Sequence, residues 1–298
     1  MQLSWLMRLR IAAACGVGVA LVAAAAWPLV APGCSLEVLS LAGGMVKPVA
    51  VMALAGLAFA AGLIAYFVSW PYGLDVGVLA VPVGLAVWAL LTGSLASLVG
   101  SNAGLEQRMA LFAGLKWEGF AWLGVVLAGF AGVRAGAVIA APKPTQRSRW
   151  AETGSGGYLT AAAAVAGSVV VAWLVIGLTA CDVSFYDRQM GAVFGQPAAA
   201  QIGFSVLVAF AAAGFVCKSV LGAGPAWPTV AGPVVTALAA MSYVKPDRIA
   251  RLASYWPAVF YPNRVASILP IQMVSFAAIG AICGYWLAVR YRHWRKGG

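Results

Sequence analysis

Eight stretches of consecutive apolar residues dominate this chain, and no water-soluble fold can hide them. A helix needs about 20 mostly apolar residues to cross roughly 30 Å of hydrocarbon. The stretches lie at Ile11–Val30, Val49–Ser69, Val76–Val99, Gly119–Ala140, Tyr158–Ala180, Ile202–Leu221, Thr229–Tyr243 and Ser267–Val289. The seventh is the weakest: it is short, carries Pro233 and follows Pro225 and Pro228. Composition agrees. The 298 residues are 63% hydrophobic and 9% charged, where a soluble domain carries roughly 25% charged residues. The runs lack the apolar–polar alternation of a membrane barrel. The sequence therefore predicts an all-α polytopic membrane protein with about eight transmembrane helices. It excludes a soluble enzyme, a disordered tail and a disulfide-rich secreted module.

Lysine and arginine set the orientation, because they accumulate on the cytoplasmic side of short loops. Arg8 and Arg10 precede the first span, Lys143, Arg147 and Arg149 sit between the fourth and fifth, and Arg290, Arg292, Arg295 and Lys296 follow the eighth. With eight spans all of these share one side. That side holds eleven Lys/Arg and two acidic residues, against eight and six on the other, which accounts for the net charge of +11. Both termini are predicted cytoplasmic, in a bacterial-type inner membrane. The basic balance is then a topology signal with a secondary attraction to lipid headgroups, and nucleic acid is not an expected partner. Arg8, Arg10 and the run ending in Ala31-Pro32-Gly33-Cys34 have the outline of a lipoprotein signal. The run is too long and Pro32 suits cleavage badly, so a retained first span is the reading.

The chain also resembles itself. At a spacing of 151 residues, Ala58-Phe59-Ala60-Ala61 lies over Ala209-Phe210-Ala211-Ala212, and Pro82-Val83 over Pro233-Val234. Arg108 to Phe112 follows the third span as Arg251 to Tyr255 follows the seventh. Gly132-x-x-x-Gly136 in the fourth span matches Gly280-x-x-x-Gly284 in the eighth, and Trp27 and Cys34 match Trp173 and Cys181. These matches keep their order with small gaps. They predict two parallel four-helix repeats, residues 1–148 and 149–298, joined by a cytoplasmic linker at 141–157 that is basic and rich in Pro and Gly. An even number of spans per half gives both halves one orientation, related by an axis along the membrane normal.

Few residues offer chemistry. Cys15, Cys217 and Cys283 fall inside spans and act as small hydrophobes. Cys34 and Cys181 fall at equivalent outer positions, where two nearby thiols form a disulfide in an oxidising compartment. The matched glycine pairs let helix backbones approach closely, packing spans four and eight against each other or a partner. The connections at 105–116 and 246–263 have one apolar face, and Arg108, Phe112, Arg251 and Trp256 are the candidates for contact at the lipid interface. Asp75 and Lys218 fall near inner turns of equivalent hairpins, as an ion pair or as part of a path that Pro82 and Pro233 would line through broken helices. No span centre carries a carboxylate. The single histidine, His293, lies in the basic tail, so neither a metal site nor bis-histidine haem is expected and no cofactor is implied. No phosphate loop, Gly-x-Ser-x-Gly elbow or Ser–His pair occurs.

Two functions fit. One is a non-catalytic integral subunit or assembly factor of a larger envelope complex, partnered by lipids and other membrane proteins. The alternative is a passive transporter of lipid or small solutes, with a path along the pseudo-two-fold axis. An enzyme is the less expected reading.

Overall fold

A computed structural model describes residues 4–31, 38–42, 48–102, 104–140, 157–180, 182–188, 191–243, 245–255 and 259–297. The chain is mostly helical, with seven helices long and apolar enough to cross a membrane, or eight if one bent pair counts as a span. In chain order the elements are α1 (Trp5–Ala25, ending in a π-helical stretch), α2 (Pro48–Val68) and α3 (Gly73–Leu91, with a 3-10 turn at Gly77–Leu79). A short α4 (Leu95–Ser101), α5 (Leu105–Ile139) and α6 (Gly157–Thr179) follow. Then come the strands β1 (Ser184–Asp187) and β2 (Gly191–Phe194), α7 (Ala199–Leu221), α8 (Ala226–Tyr243), α9 (Pro246–Tyr255) and α10 (Pro270–Gly297). Helices dominate because hydrocarbon offers the backbone no partner, and a helix satisfies its own N–H and C=O groups.

Three boundaries differ from the sequence reading. The predicted third span stops at Leu91. Thr92 turns extended, and Ser94 caps a separate α4 by accepting the Ser97 N–H at 3.1 Å. The predicted fourth span starts fourteen residues early, so the expected connection at 105–116 is the first part of a 35-residue helix. The weak seventh span starts at Ala226, and its 18 residues absorb Pro233 internally before α9 leaves at 78°. The β1–β2 hairpin was not foreseen. Its pairing runs Ser184 to Phe194 through Asp187 to Gly191, and Gly191 takes a φ of +79° that L side chains avoid. Phe194 then bridges to Tyr261 through two backbone hydrogen bonds of 2.9 Å.

Glycine contacts fix how the long helices pack. A Cβ on Gly132 would overlap the Phe59 carbonyl and come within 3.0 Å of the Leu63 nitrogen. A Cβ on Gly284 would overlap the Ala211 carbonyl and come within 2.9 Å of the Phe215 nitrogen. Gly136 faces the Tyr66 ring, and Gly280 faces Leu207 and Ala211. The matched glycines of α5 and α10 therefore pack on α2 and α7, not on each other. Contacts progress in the same direction along both chains of each pair, so α2 runs parallel to α5 and α7 parallel to α10. Contacts also tie α5 to α8, where Gly119 lies against Pro233, and α3 to α10, where the Gln272 amide donates to the Ala89 carbonyl at 3.1 Å. Helix α10 is the most enclosed span, 78% buried over its apolar window, while α1 and α6 are each 22% buried and line the rim.

Candidate functional site

The most unusual group in the bundle is a carboxylate. Glu118 is 3% exposed, on the same face of α5 as Leu111, Leu115 and Trp122. Its partners come mainly from residues 38–42, a non-helical segment that enters the bundle after α1 with Val38, Leu39 and Ser40 buried. Ser40 Oγ donates to Glu118 Oε2 at 2.7 Å, and the Ala42 N–H donates to the same oxygen at 3.1 Å. The Leu41 N–H adds a further bond, and the Trp122 indole N–H donates to Oε1 at 3.0 Å. One turn away the Leu39 N–H donates to Thr92 Oγ1 at 2.8 Å. The reason is a backbone account: an irregular segment buried in a bundle has N–H groups that no helix satisfies, and each must find an acceptor. Gly114 makes room, because a Cβ there would sit 2.8 Å from that of Ala42.

The sequence predicts no carboxylate at a span centre; Glu118, one residue ahead of the predicted fourth span, lies inside the continuous helix α5. Among the described residues, the donors on Glu118 named above are a hydroxyl, backbone N–H groups and an indole N–H. Ser40 is fully buried beside the carboxyl group, and one side chain closes several donors of the irregular segment. A signal was legible, since Leu111, Leu115, Glu118 and Trp122 recur at spacings of three and four.

A second, neutral network occupies the same end of the bundle. Gln196 Oε1 accepts from the Ala96 N–H at 3.3 Å and from the Tyr261 hydroxyl at 3.1 Å. Gln196 Nε2 donates to the Ser267 carbonyl at 2.9 Å. Tyr261 is fully buried, and burial pushes its hydroxyl well above the ordinary phenol range, with Tyr243 nearby adding to the rise. It therefore remains a neutral donor at any working pH. Phe112 stacks on Tyr243 at 3.9 Å between centroids, and the Tyr243 hydroxyl donates to the Phe260 carbonyl at 3.2 Å. Arg264 caps the end of α6 by donating to the Gly177 carbonyl, with its guanidinium 4.8 Å from the Phe194 ring.

Other sequence candidates fall as follows. Phe112 is buried, so its ring packs inside the protein and does not face lipid. Arg108 donates to the Asn102 carbonyl at 2.9 Å and fastens the start of α5. The apolar face of α9 also turns inward, with Ile249 and Leu252 buried, while Arg251 is partly exposed. Trp256, Cys34 and Cys181 lie outside the described residues, and so does the disulfide expected between the two cysteines. Pro82 is buried midway along α3, three residues into the α-helical stretch Ala80–Leu91 that follows the 3-10 turn, where its missing N–H costs little. Pro233 sits within α8, and the Thr236 hydroxyl donates back to the Gly232 carbonyl at 3.2 Å. Asp75 lies in the first turn of α3, at the opposite end of the bundle from Glu118. Lys218, in the last turn of α7, shares that end. Its ammonium donates to the Gly222 carbonyl at 3.4 Å and lies 4.9 Å from the Tyr285 ring. Among the described residues no group of three or more His, Cys, Asp or Glu could hold a metal ion.

A cavity lies between the two sets of helices, lined by Leu95, Phe112, Leu115, Thr236, Val265 and neighbouring apolar residues. It has a volume of 10 Å³, about the space of a single water molecule, whereas an open apolar recess of 630 Å³ lies between α6 and α8, lined by Val165, Val169, Val170, Trp227 and Val234. No protein-family model matches the chain, and no curated protein or solved structure gives a match.

Proposed function

We propose that the chain is a non-catalytic integral subunit or assembly factor of a larger envelope complex, built from two parallel four-helix halves at 1–148 and 149–298. The close packing of α5 on α2 and of α10 on α7, at glycines where a Cβ would strike the facing backbone, carries this reading. Long helices locked together in this way offer partners a rigid surface. The helices at the rim fit that use, since Leu174 and Leu178 of α6 are 61% and 78% exposed.

The glycine contacts support the duplication. Gly132 lies over Phe59, 73 residues earlier, and Gly284 over Ala211, again 73 residues earlier. Gly62 lies against Gly129 and Gly214 against Ala281, each 67 residues on. Matching both pairs at once aligns Gly132 with Gly284, one helical turn from the pairing with Gly280 that sequence alone favours. Parallel α7 and α10 also require a returning helix between them, which supports α8 as a crossing, the seventh of eight in chain order. With eight crossings both termini share the basic side, the cytoplasmic one by the charge rule.

Parallel repeats also build symmetric transport paths, which keeps a passive lipid or solute transporter as the second reading. One preparation separates the two. Purified from its native membrane in mild detergent, the chain is expected to run in a discrete assembly larger than its own 30.6 kDa and to conduct no solute in liposomes. A chain that runs alone and passes solutes supports the transporter.

A further inference from the structure

Helix α10 runs on for 28 residues, or about 42 Å at 1.5 Å per residue, beyond what a bilayer core requires. Its last turns meet the end of α7 at a basic notch. The α7 helix finishes in a π-helical turn at Cys217–Leu221, and Gly222 reverses the chain with a φ of +68°. Such an end leaves carbonyl groups without helical donors. Arg292 meets two of them: its guanidinium donates to the Lys218 carbonyl and to the Ser219 carbonyl, the latter at 2.8 Å. Those bonds hold a planar, permanently charged fork in one place. Lys218, whose carbonyl Arg292 grips, is 93% buried and directs its own ammonium to the Gly222 carbonyl and the Tyr285 ring. Two cations from different helices are thus fixed around one peptide unit.

The depth of the notch is marked by aromatic side chains. Tyr291 and Trp294 flank Arg292 and are 44% and 77% exposed, and the Tyr291 ring leans on Phe215 at 5.8 Å. Aromatic residues of this kind settle at the headgroup level of a bilayer. Arginine that keeps outward donors free at that level matches a phosphate diester, and basic pockets between spans are where anionic headgroups are held. We propose that the α7–α10 notch is a binding site for the headgroup phosphate of an anionic phospholipid in the adjoining leaflet. Arg292 supplies the hydrogen-bonding fork, and Lys218 supplies charge from behind it.

The test is lipid binding by the full chain, purified in detergent and read by native mass spectrometry. Phosphatidylglycerol, phosphatidylcholine and inorganic phosphate are the probes. The parent protein is expected to retain phosphatidylglycerol in preference to phosphatidylcholine. Arg292→Gln is expected to weaken phosphatidylglycerol binding by about tenfold, and Lys218→Met by a smaller factor. Arg295→Gln, which removes the same charge one turn further out, is expected to change it by less than about twofold. If Arg292→Gln fails to fold, Arg292→Lys keeps the charge without the fork and is expected to lose part of the preference. Equal losses in Arg292→Gln and Arg295→Gln would overturn the site in favour of a diffuse basic tail. Equal binding of the two lipids, or displacement of phosphatidylglycerol by inorganic phosphate at matched concentration, would also overturn it.

Discussion

Two connections leave the first helix of each proposed half and return into the bundle, and they are fastened by opposite chemistry. After α1, residues 38–42 enter as bare irregular backbone and are held by a carboxylate, Glu118. After α6, the chain forms a hairpin that satisfies most of its own backbone, and one neutral amide, Gln196, ties it to α4 and to the segment before α10. The difference follows from what each connection brings. A hairpin arrives with its N–H groups paired. A short irregular segment arrives with several N–H groups pointing the same way, and a carboxylate with two oxygens is the side chain able to accept them all. The carboxyl anchor concentrates more bonds in one group, and its loss strands more of them.

That comparison predicts a ranking. The largest effect is expected for Glu118→Leu, which removes one acceptor from four donors, the Ser40 hydroxyl and the Trp122 indole among them buried. Each donor left without a partner costs about 1–3 kcal/mol, and thermal unfolding in detergent should show a large drop or no folded protein. A variant as stable as the parent would mean that residues 38–42 are held by something other than Glu118. Gln196→Leu leaves two donors and one carbonyl unpaired, so a loss of about 2 kcal/mol is expected in the same assay. If it equals or exceeds Glu118→Leu, the contrast between the carboxyl and amide anchors fails. Thr92→Val removes the acceptor of the Leu39 N–H while keeping shape, and about 1–2 kcal/mol is expected. Its effect should shrink when combined with Glu118→Leu, because a segment already released has little left to lose. Tyr261→Phe, the smallest step, removes one hydroxyl from Gln196 and is expected to cost about 1 kcal/mol. With that hydroxyl neutral in the fold, the cost should not vary between pH 6 and 9, a range given as about the span below ordinary phenol titration.

Much of the helical frame was legible because an apolar run of twenty residues has few alternatives in a membrane. The anchors were not, and the causes differ. Glu106, Arg108, Lys116 and Glu118 look like a charged loop when read one after another, yet they lie on a continuous helix whose apolar residues share a face with Glu118. Charge density marked a boundary where helical spacing denied one. The hairpin was hidden because its strands are four residues each and its pairing depends on Tyr261, far along the chain. Gln196 offered no signal, since a lone glutamine beside Pro197 reads as any polar loop residue. The paired glycines lie at points of close approach in the fold, and sequence could not say which helix approaches. Periodicity gives the face of a helix and leaves its neighbour open.

The separation between Ser40 and Glu118 is 78 residues along the chain. On the ribosome that distance is time. At ~5–20 residues per second, about 4–16 seconds pass between the synthesis of the segment and the arrival of its acceptor. Two apolar helices, α2 and α3, are made in that interval. For those seconds the irregular segment has no Glu118 to receive it and must rely on water or on the insertion machinery. Docking of residues 38–42 is therefore a late event in the biogenesis of the first half, completed when α5 is delivered. A truncated chain released before residue 118 should display that segment to the quality-control apparatus, while one released after α5 is complete at Ile139 should not.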